Sequence, residues 1–270
     1  LNKTKLNLSG RNYWPLQIQT IFPMPDLKLT QHWSPSFDIR PSHFAVDMLV
    51  LHYTGMRNAA TALERLCDPK SKVSSHYLID EHGTSYQLVQ ESHRAWHAGD
   101  SHWSGEKDIN SLSIGIELVN PGHELNYTVF PERQMIALEN LIADIRTRHL
   151  IPDHRILGHS DVAPFRKRDP GELFDWHRLA SKGIGLWPIR KHAMDTNKTA
   201  LKLGAESTQV AEVQRCLAVF GYQLEKTGRY DTDTEKVVIA FQRHFRPNQI
   251  DGIFDQVCAD KLLDLLNQIE

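Results

Sequence analysis

No stretch of the 270-residue chain approaches the roughly 18 consecutive apolar residues that a membrane-spanning helix needs, so no such span is expected. Cysteine is scarce. Cys67, Cys216 and Cys258 are widely spaced and contain no Cys-x-x-Cys pair, which excludes a disulfide framework. Cys216 and Cys258 fall in apolar helical patterns and read as core residues. An excess of either charge is also missing, with 31 Lys and Arg against 33 Asp and Glu. Without a broad basic field the chain is not expected to bind nucleic acid, and a neutral polymer or small polar ligand suits it better. The opening Leu1-Asn2-Lys3 carries no signal-peptide pattern.

What remains is an ordinary globular composition, 40% hydrophobic and 24% charged, over a length that accommodates two domains. Histidine stands out at 15 residues, several of them between positions 52 and 159.

Residues 1–30 contain Pro15, Pro23 and Pro25 and read as an irregular N-terminal extension. The run Val46 to Thr54 is almost continuously apolar, as in a strand buried on both faces. A short helix is expected over 58–67. Two strand-like runs, Ser75 to Asp80 and Thr84 to Val89, are joined by a Gly83-containing turn and predict a β-hairpin. Residues 92–111 read as a loop. Another strand covers Leu112 to Leu118. Pro131 opens a long helix with Leu138, Leu141, Ile142 and Ile145 on one stripe. Arg155 to His159 is a further strand, and a helix is expected near 172–181. Strands interleaved with helices predict an α/β domain over 31–187 with a central mixed β-sheet flanked by helices. A linker over 188–206 leads to a second, small all-α domain of three helices over 207–270. Its second helix is expected to open on Thr232 and Glu235 in capping-box spacing.

Among the histidines, His52 and His159 each end an expected strand, where side chains converge on one rim. Taken singly, each reads equally well as a satisfied core residue. The segment Gly158 to Gly171 adds a carboxylate after a Pro-bent loop. Two imidazoles and a carboxylate make the three-ligand set of a catalytic zinc, which leaves one position open. Spacing alone leaves Asp161 as an alternative to Asp169, and the same donor set also suits ferrous iron.

Five segments now stand in order along the chain: Leu51-His52-Tyr53-Thr54, Ser74-Ser75-His76-Tyr77, Ala95-Trp96-His97-Ala98-Gly99, Ser113 to Leu118, and Gly158-His159 through Lys167-Arg168-Asp169-Pro170-Gly171. Together, over roughly residues 45–180, they resemble the type 2 N-acetylmuramoyl-L-alanine amidases, relatives of the peptidoglycan recognition proteins and of amidase-type phage lysozymes. The resemblance implies one zinc ion per chain held by His52, His159 and Asp169. It implies Glu117 as the general base and Lys167 as the cation that stabilises the oxyanion. His76, Tyr77, Trp96, His97 and Ala98 are expected to shape the substrate site rather than bind metal. On their strand, Ser113, Gly115 and Glu117 alternate with Ile114, Ile116 and Leu118, so Glu117 shares a face with small residues that leave room for a ligand. His82, His93, His102 and His123 are expected on surface loops.

The implied activity is hydrolysis of the amide between the muramic acid lactyl group and L-alanine in peptidoglycan or muropeptides. A non-catalytic peptidoglycan-recognition protein is the alternative. The C-terminal segment resembles the three-helix peptidoglycan-binding module of wall hydrolases, through Val213 to Leu217, Gly221-Tyr222, Gly228 to Asp231, Val238 to Gln242 and Asp251-Gly252. It departs from that module at His244-Phe245-Arg246-Pro247, which replaces a shorter polar turn. The expected location is the periplasm or cell envelope, with an anchor outside this sequence or cytoplasmic recycling as alternatives. Nothing in the sequence points to an oligomer, so a monomer is expected.

Overall fold

The computed structural model describes residues 27–189 and 200–269. The expected N-terminal extension lies mostly outside these residues, as does most of the expected linker. Eight strands and eight α-helices follow in chain order. β1 (Leu29–Gln31), β2 (Phe37–Ile39) and β3 (Met48–Tyr53) lead into α1 (Ala59–Cys67). The hairpin strands β4 (Tyr77–Ile79) and β5 (Ser85–Gln87) come next, then β6 (His93–Ala95) and the single turn α2 (Ile109–Leu112). β7 (Ser113–Leu118) and α3 (Glu132–Arg146) precede β8 (Ile156–Gly158), α4 (His159–Val162) and α5 (Trp176–Ser181). The chain ends in α6 (Thr208–Phe220), α7 (Thr232–Phe245) and α8 (Gln256–Ile269).

Six strands form one mixed sheet in the order β1-β5-β4-β7-β3-β8, and β2 pairs with β6 apart from it. Only β4 and β5 run antiparallel within the large sheet, and they are the expected hairpin. β1 is an addition to the sequence reading. Leu29 to Gln31, placed at the border of the irregular extension, instead add an edge strand parallel to β5. The expected loop 92–111 likewise contains β6 and α2, elements too short to leave a periodic signal.

Period-2 alternation sorts the sheet's two faces. Leu49, Leu51, Ile114, Ile116, Leu118 and Ile156 point to one face, where the apolar stripe of α3 covers them. Met48, Val50 and Leu157 point to the other, in a core that continues through Trp103 and Val162 to Leu217, Phe220, Phe241 and Phe245 of the C-terminal helices. A largely parallel sheet needs cover on both faces, and the three-helix unit supplies part of it. Its helices are capped as their sequences require: Ser207 accepts a hydrogen bond from the Val210 amide at α6, and Asp231 accepts one from Thr234 at α7. The α7 cap is therefore Asp231, one residue before the expected Thr232. Its carboxylate takes both the Thr234 amide and the Thr234 hydroxyl.

The parallel pairings set the functional rim. β3 pairs with β7 so that His52 stands beside Glu117. It pairs with β8 so that Leu51 stands beside Gly158, which puts His159 next to His52. Three strand ends thus deliver three polar side chains to one place.

Candidate active site

The rim opens into a cavity of about 350 Å³ lined by His52, Trp96, Glu117, His159, Lys167 and Asp169, among others. His52 Nδ1 lies 2.9 Å from His159 Nδ1 and 3.1 Å from Asp169 Oδ2, and His159 Nδ1 lies 3.0 Å from that same oxygen. All three residues are buried. Among the described residues this is the group of His, Cys, Asp and Glu side chains whose donor atoms converge as a metal site requires. A tetrahedral ion with bonds of about 2.0 Å has ligand edges of about 3.3 Å, close to these spacings.

Hydrogen bonds behind the rings decide which atoms face that centre, with tautomers assigned from partners. Ser113 Oγ donates to the Ile109 carbonyl at 2.6 Å, so it must accept from His97 Nε2 at 3.2 Å. His97 Nδ1 is then an acceptor and takes the proton of His52 Nε2 at 3.1 Å. That leaves the lone pair of His52 Nδ1 pointing at His159 and Asp169. His159 donates from Nε2 to the Ala98 carbonyl at 3.0 Å, so its Nδ1 lone pair points there too. Two lone pairs and a carboxylate facing one point repel one another unless a cation sits among them. Burial first, then His159, lowers the His52 pKa to about 4. Burial works to raise the Asp169 carboxyl, yet His159 and His52 bring it well below the ordinary carboxylate range. The donors are therefore ready to take a metal at neutral pH.

Asp161 is not part of this set. Its two oxygens accept from the Gly158 amide, Tyr222 and His244, so Asp169 is the carboxylate at the centre.

Glu117 stands at the cavity floor. Its Oε2 is sealed from water and has no hydrogen-bond partner. Burial, then the charge of Asp169, raises its pKa from 4.5 to about 8, against an opposing pull from Lys167. A bound dication would cancel the Asp169 contribution and bring Glu117 down. In the metal-free protein this carboxyl keeps its proton after the unfolded chain has released it. The stability it gives is full below pH 4.5 and is lost as pH rises through about 8. The buried His52 and His76, lowered to about 4 and about 3, act in the opposite sense, but only below their ordinary 6.5. Denaturant unfolding of metal-free protein at pH 6.5 and 8 is expected to show stability falling with pH, and Glu117→Gln to fall less. Equal losses would mean that the carboxyl is not buried as described.

Three cations cross the cavity mouth at 166–168. Arg166 donates to the Asp100 and Ala98 carbonyls, and Arg168 pairs with Glu124. Lys167 has no side-chain partner among the described residues, so its charge is free to meet a substrate.

Of the residues expected to shape the substrate site, Trp96 and His97 line the cavity. Trp96 is half-buried and fixed by its indole N–H on Asp38 Oδ2 at 2.7 Å. His97 touches His52 rather than open space, and the room beside Glu117 at Ser113 and Gly115 is taken by its ring. A Cβ on Gly115 would lie 2.4 Å from His97 Cγ. His76, Tyr77 and Ala98 do not reach the cavity. His76 accepts from the Gly115 amide at Nδ1 and donates from Nε2 to the His93 carbonyl. Tyr77 donates to Glu91 on the far side of the sheet. Ala98 contributes its backbone, as the acceptor for His159. Their strand and loop are buried because the hairpin is an inner part of the sheet, which local spacing cannot reveal.

The sequence reading passed over Tyr53 and misplaced His123. Tyr53 lines the cavity and donates to His123 Nδ1 at 2.9 Å. His123, expected on the surface, is instead held between Tyr53 and Glu172 and stacked on Tyr127. Tyr53 could have been found by its place next to His52 at a strand end. Nothing local marks His123.

Comparison with known proteins adds an independent line. A family model described as N-acetylmuramoyl-L-alanine amidase matches residues 42–172, and one described as "Putative peptidoglycan binding domain" matches residues 206–262. The chain is 36% identical over 242 residues to N-acetylmuramoyl-L-alanine amidase AmiD of Escherichia coli K12, covering 83% of this chain and 84% of that relative. It belongs to the N-acetylmuramoyl-L-alanine amidase family. A solved complex of the E. coli AmiD amidase with anhydro-N-acetylmuramic acid-L-Ala-D-γ-Glu-L-Lys superposes on this amidase with a TM-score of 0.70 at 34% identity, over 83% of this chain and 89% of that one. The complex of AmpDh3 from Pseudomonas aeruginosa with anhydromuramic pentapeptide does so with a TM-score of 0.68 at 29% identity, over 83% and 92%. Both likenesses extend beyond the sheet into the C-terminal helices, as their coverage requires.

The place of His97 in the amidase yields a further expectation. Gly115→Ala forces the ring off His52, with an overpacking cost of about 1–3 kcal/mol. It is expected to weaken metal binding about 10–100-fold, as loss of a ligand-orienting partner does. Thermal unfolding and metal titration check both, and unchanged metal affinity would show that His97 does not orient His52.

Proposed function

We propose that this amidase hydrolyses the amide between the lactyl group of muramic acid and L-alanine, in peptidoglycan or in muropeptides, using one zinc ion held by His52, His159 and Asp169. The observation that supports this most is the three converging acceptors beside Glu117, an acid that lines the same cavity and has one oxygen without a hydrogen-bond partner. When bound, zinc supplies Lewis acidity, lowering the pKa of the attacking water towards 7 and polarising the carbonyl. Glu117 accepts the proton of that water as its oxygen adds to the carbonyl carbon. Lys167 places a positive charge for the oxyanion. Glu117 then passes the proton to nitrogen as the C–N bond breaks. The products are a lactyl carboxylic acid and a stem peptide with a free L-alanine amine. Trp96, fixed on Asp38, offers an apolar face at the cavity wall.

In this reading residues 31–187 form the catalytic domain and 207–270 the helical one, joined by 188–206. The proposed place of action is the periplasm or envelope. Among the described residues no helix is long and apolar enough to cross a membrane.

The test is hydrolysis of purified muropeptides, intact and 1,6-anhydro in parallel, followed by mass spectrometry, before and after chelation and after zinc is restored. Release of stem peptide beginning with L-alanine, lost with chelator and regained with zinc, is expected. Zinc-loaded protein that binds these substrates without products would move the assignment to recognition alone.

A further inference from the structure

The C-terminal helices reach the segment that carries two of the three proposed metal ligands, and they do so at both of its ends. Asp161 lies two residues after His159, in the same turn of helix. It is 1% exposed, and its carboxylate takes three donors: the Gly158 amide at 2.7 Å, Tyr222 Oη–H at 2.8 Å and His244 Nδ1–H at 2.7 Å. Tyr222 follows α6 and His244 belongs to α7, and both are buried. The His244 ring is clamped between Trp176, at 3.7 Å and 20°, and Phe245, at 3.9 Å and 9°. Three residues after Asp169, Glu172 takes the preceding residue of the same helix, Arg243, at 3.3 Å. Between these two points, the Ser160 amide donates to the Asp169 carbonyl and ties the two limbs of the segment together. Gly221, where α6 ends at a φ of 142°, lies against Trp103, and its carbonyl accepts from the Ser104 amide.

We infer that the C-terminal helical unit is a positioning element for the metal-binding segment: Tyr222 and His244 act through Asp161, and Arg243 acts through Glu172, to hold His159 and Asp169 where their donor atoms converge. This rests on the metal reading given above. A buried carboxylate is stable only when its partners are complete. Removing one donor from Asp161 leaves a charge short of a hydrogen bond inside the protein, and the turn that begins with His159 must shift to repair it. A unit that served only to cover the sheet would need apolar contact here, not two polar matches to one buried acid, from Tyr222 and His244, and a third from Arg243 to a second acid. The residues that break the expected module pattern, beginning at His244, are among those that make these contacts.

The experiment measures zinc release from the full-length, zinc-loaded protein to a colorimetric chelator, together with thermal unfolding. Tyr222→Phe keeps the ring and removes only the hydroxyl. Arg243→Gln removes the cation that the helical unit brings to Glu172, leaving its contact with His123 in place. Val237→Ala, in the helical core and with no part in the bridge's hydrogen bonds, is the control for lost stability alone. Tyr222→Phe and Arg243→Gln are expected to release zinc about 10-fold faster than the parent, in the range of other ligand-orienting contacts, while Val237→Ala releases it at the parent rate despite a lower unfolding temperature. Parent-like release from both bridge variants, or equal acceleration by Val237→Ala, overturns the inference and leaves the helices a structural cover. A parent protein that takes up no zinc would instead overturn the metal reading, and the two failures are told apart by that first measurement.

Discussion

Asp169→Ala is expected to remove zinc from the protein and to lower kcat/KM by about 10³–10⁴-fold, the rate equivalent of several kcal/mol of Lewis-acid stabilisation. The size follows from the geometry. Asp169 Oδ2 is within 3.1 Å of both His52 Nδ1 and His159 Nδ1, and it is the one negative charge at the centre. Without it, two imidazoles remain in a buried place, with no anion to offset a dication. Metal content by elemental analysis and stem-peptide release by mass spectrometry check the two halves separately. Full zinc occupancy at the parent rate would remove Asp169 from the ligand set, and with it the reason for choosing it over Asp161.

Glu117→Gln carries the second large effect and divides differently. The amide keeps the size of the carboxyl but cannot accept a proton, so kcat is expected to fall about 10²–10⁴-fold, as loss of a general base does. Zinc content and KM should stay near parental values, because Glu117 is beside the donor cluster rather than in it. The pH profile gives a further check. The acid limb of kcat/KM reports ionisation of the base, so the residual activity of the variant should lack that limb. A variant within twofold of the parent rate would transfer the role of base elsewhere.

The parts of this fold legible in the sequence are those where a local pattern and the final packing agree. The apolar run of β3 and the small/large alternation of β7 gave their strands, and the rim followed because strand ends collect side chains. The stripe of α3 gave its buried face. His52, Glu117, His159 and Asp169 do meet, as the resemblance implied. What was illegible depends on segments far apart in the chain. Gly115 looked like room for a ligand, yet a ring from residue 97 fills it. His76 and Tyr77 looked like parts of the substrate site but point into an interior made by β7 and by Glu91. His244 looked like a defect in a wall-binding module. It is the partner of Asp161, in a contact 83 residues apart in the chain that no local signal marks.

The core that runs from Met48 and Val50 through Trp103 to Phe220 and Phe241 also bears on how such a chain can be inherited. Modules that meet only through a tether can be exchanged between genes with little cost. Here a chain ending near residue 189 would leave Met48, Val50 and Leu157 on a face of the sheet without the helices that now share their core. A substitution on one side of that seam in this protein is therefore expected to be answered on the other.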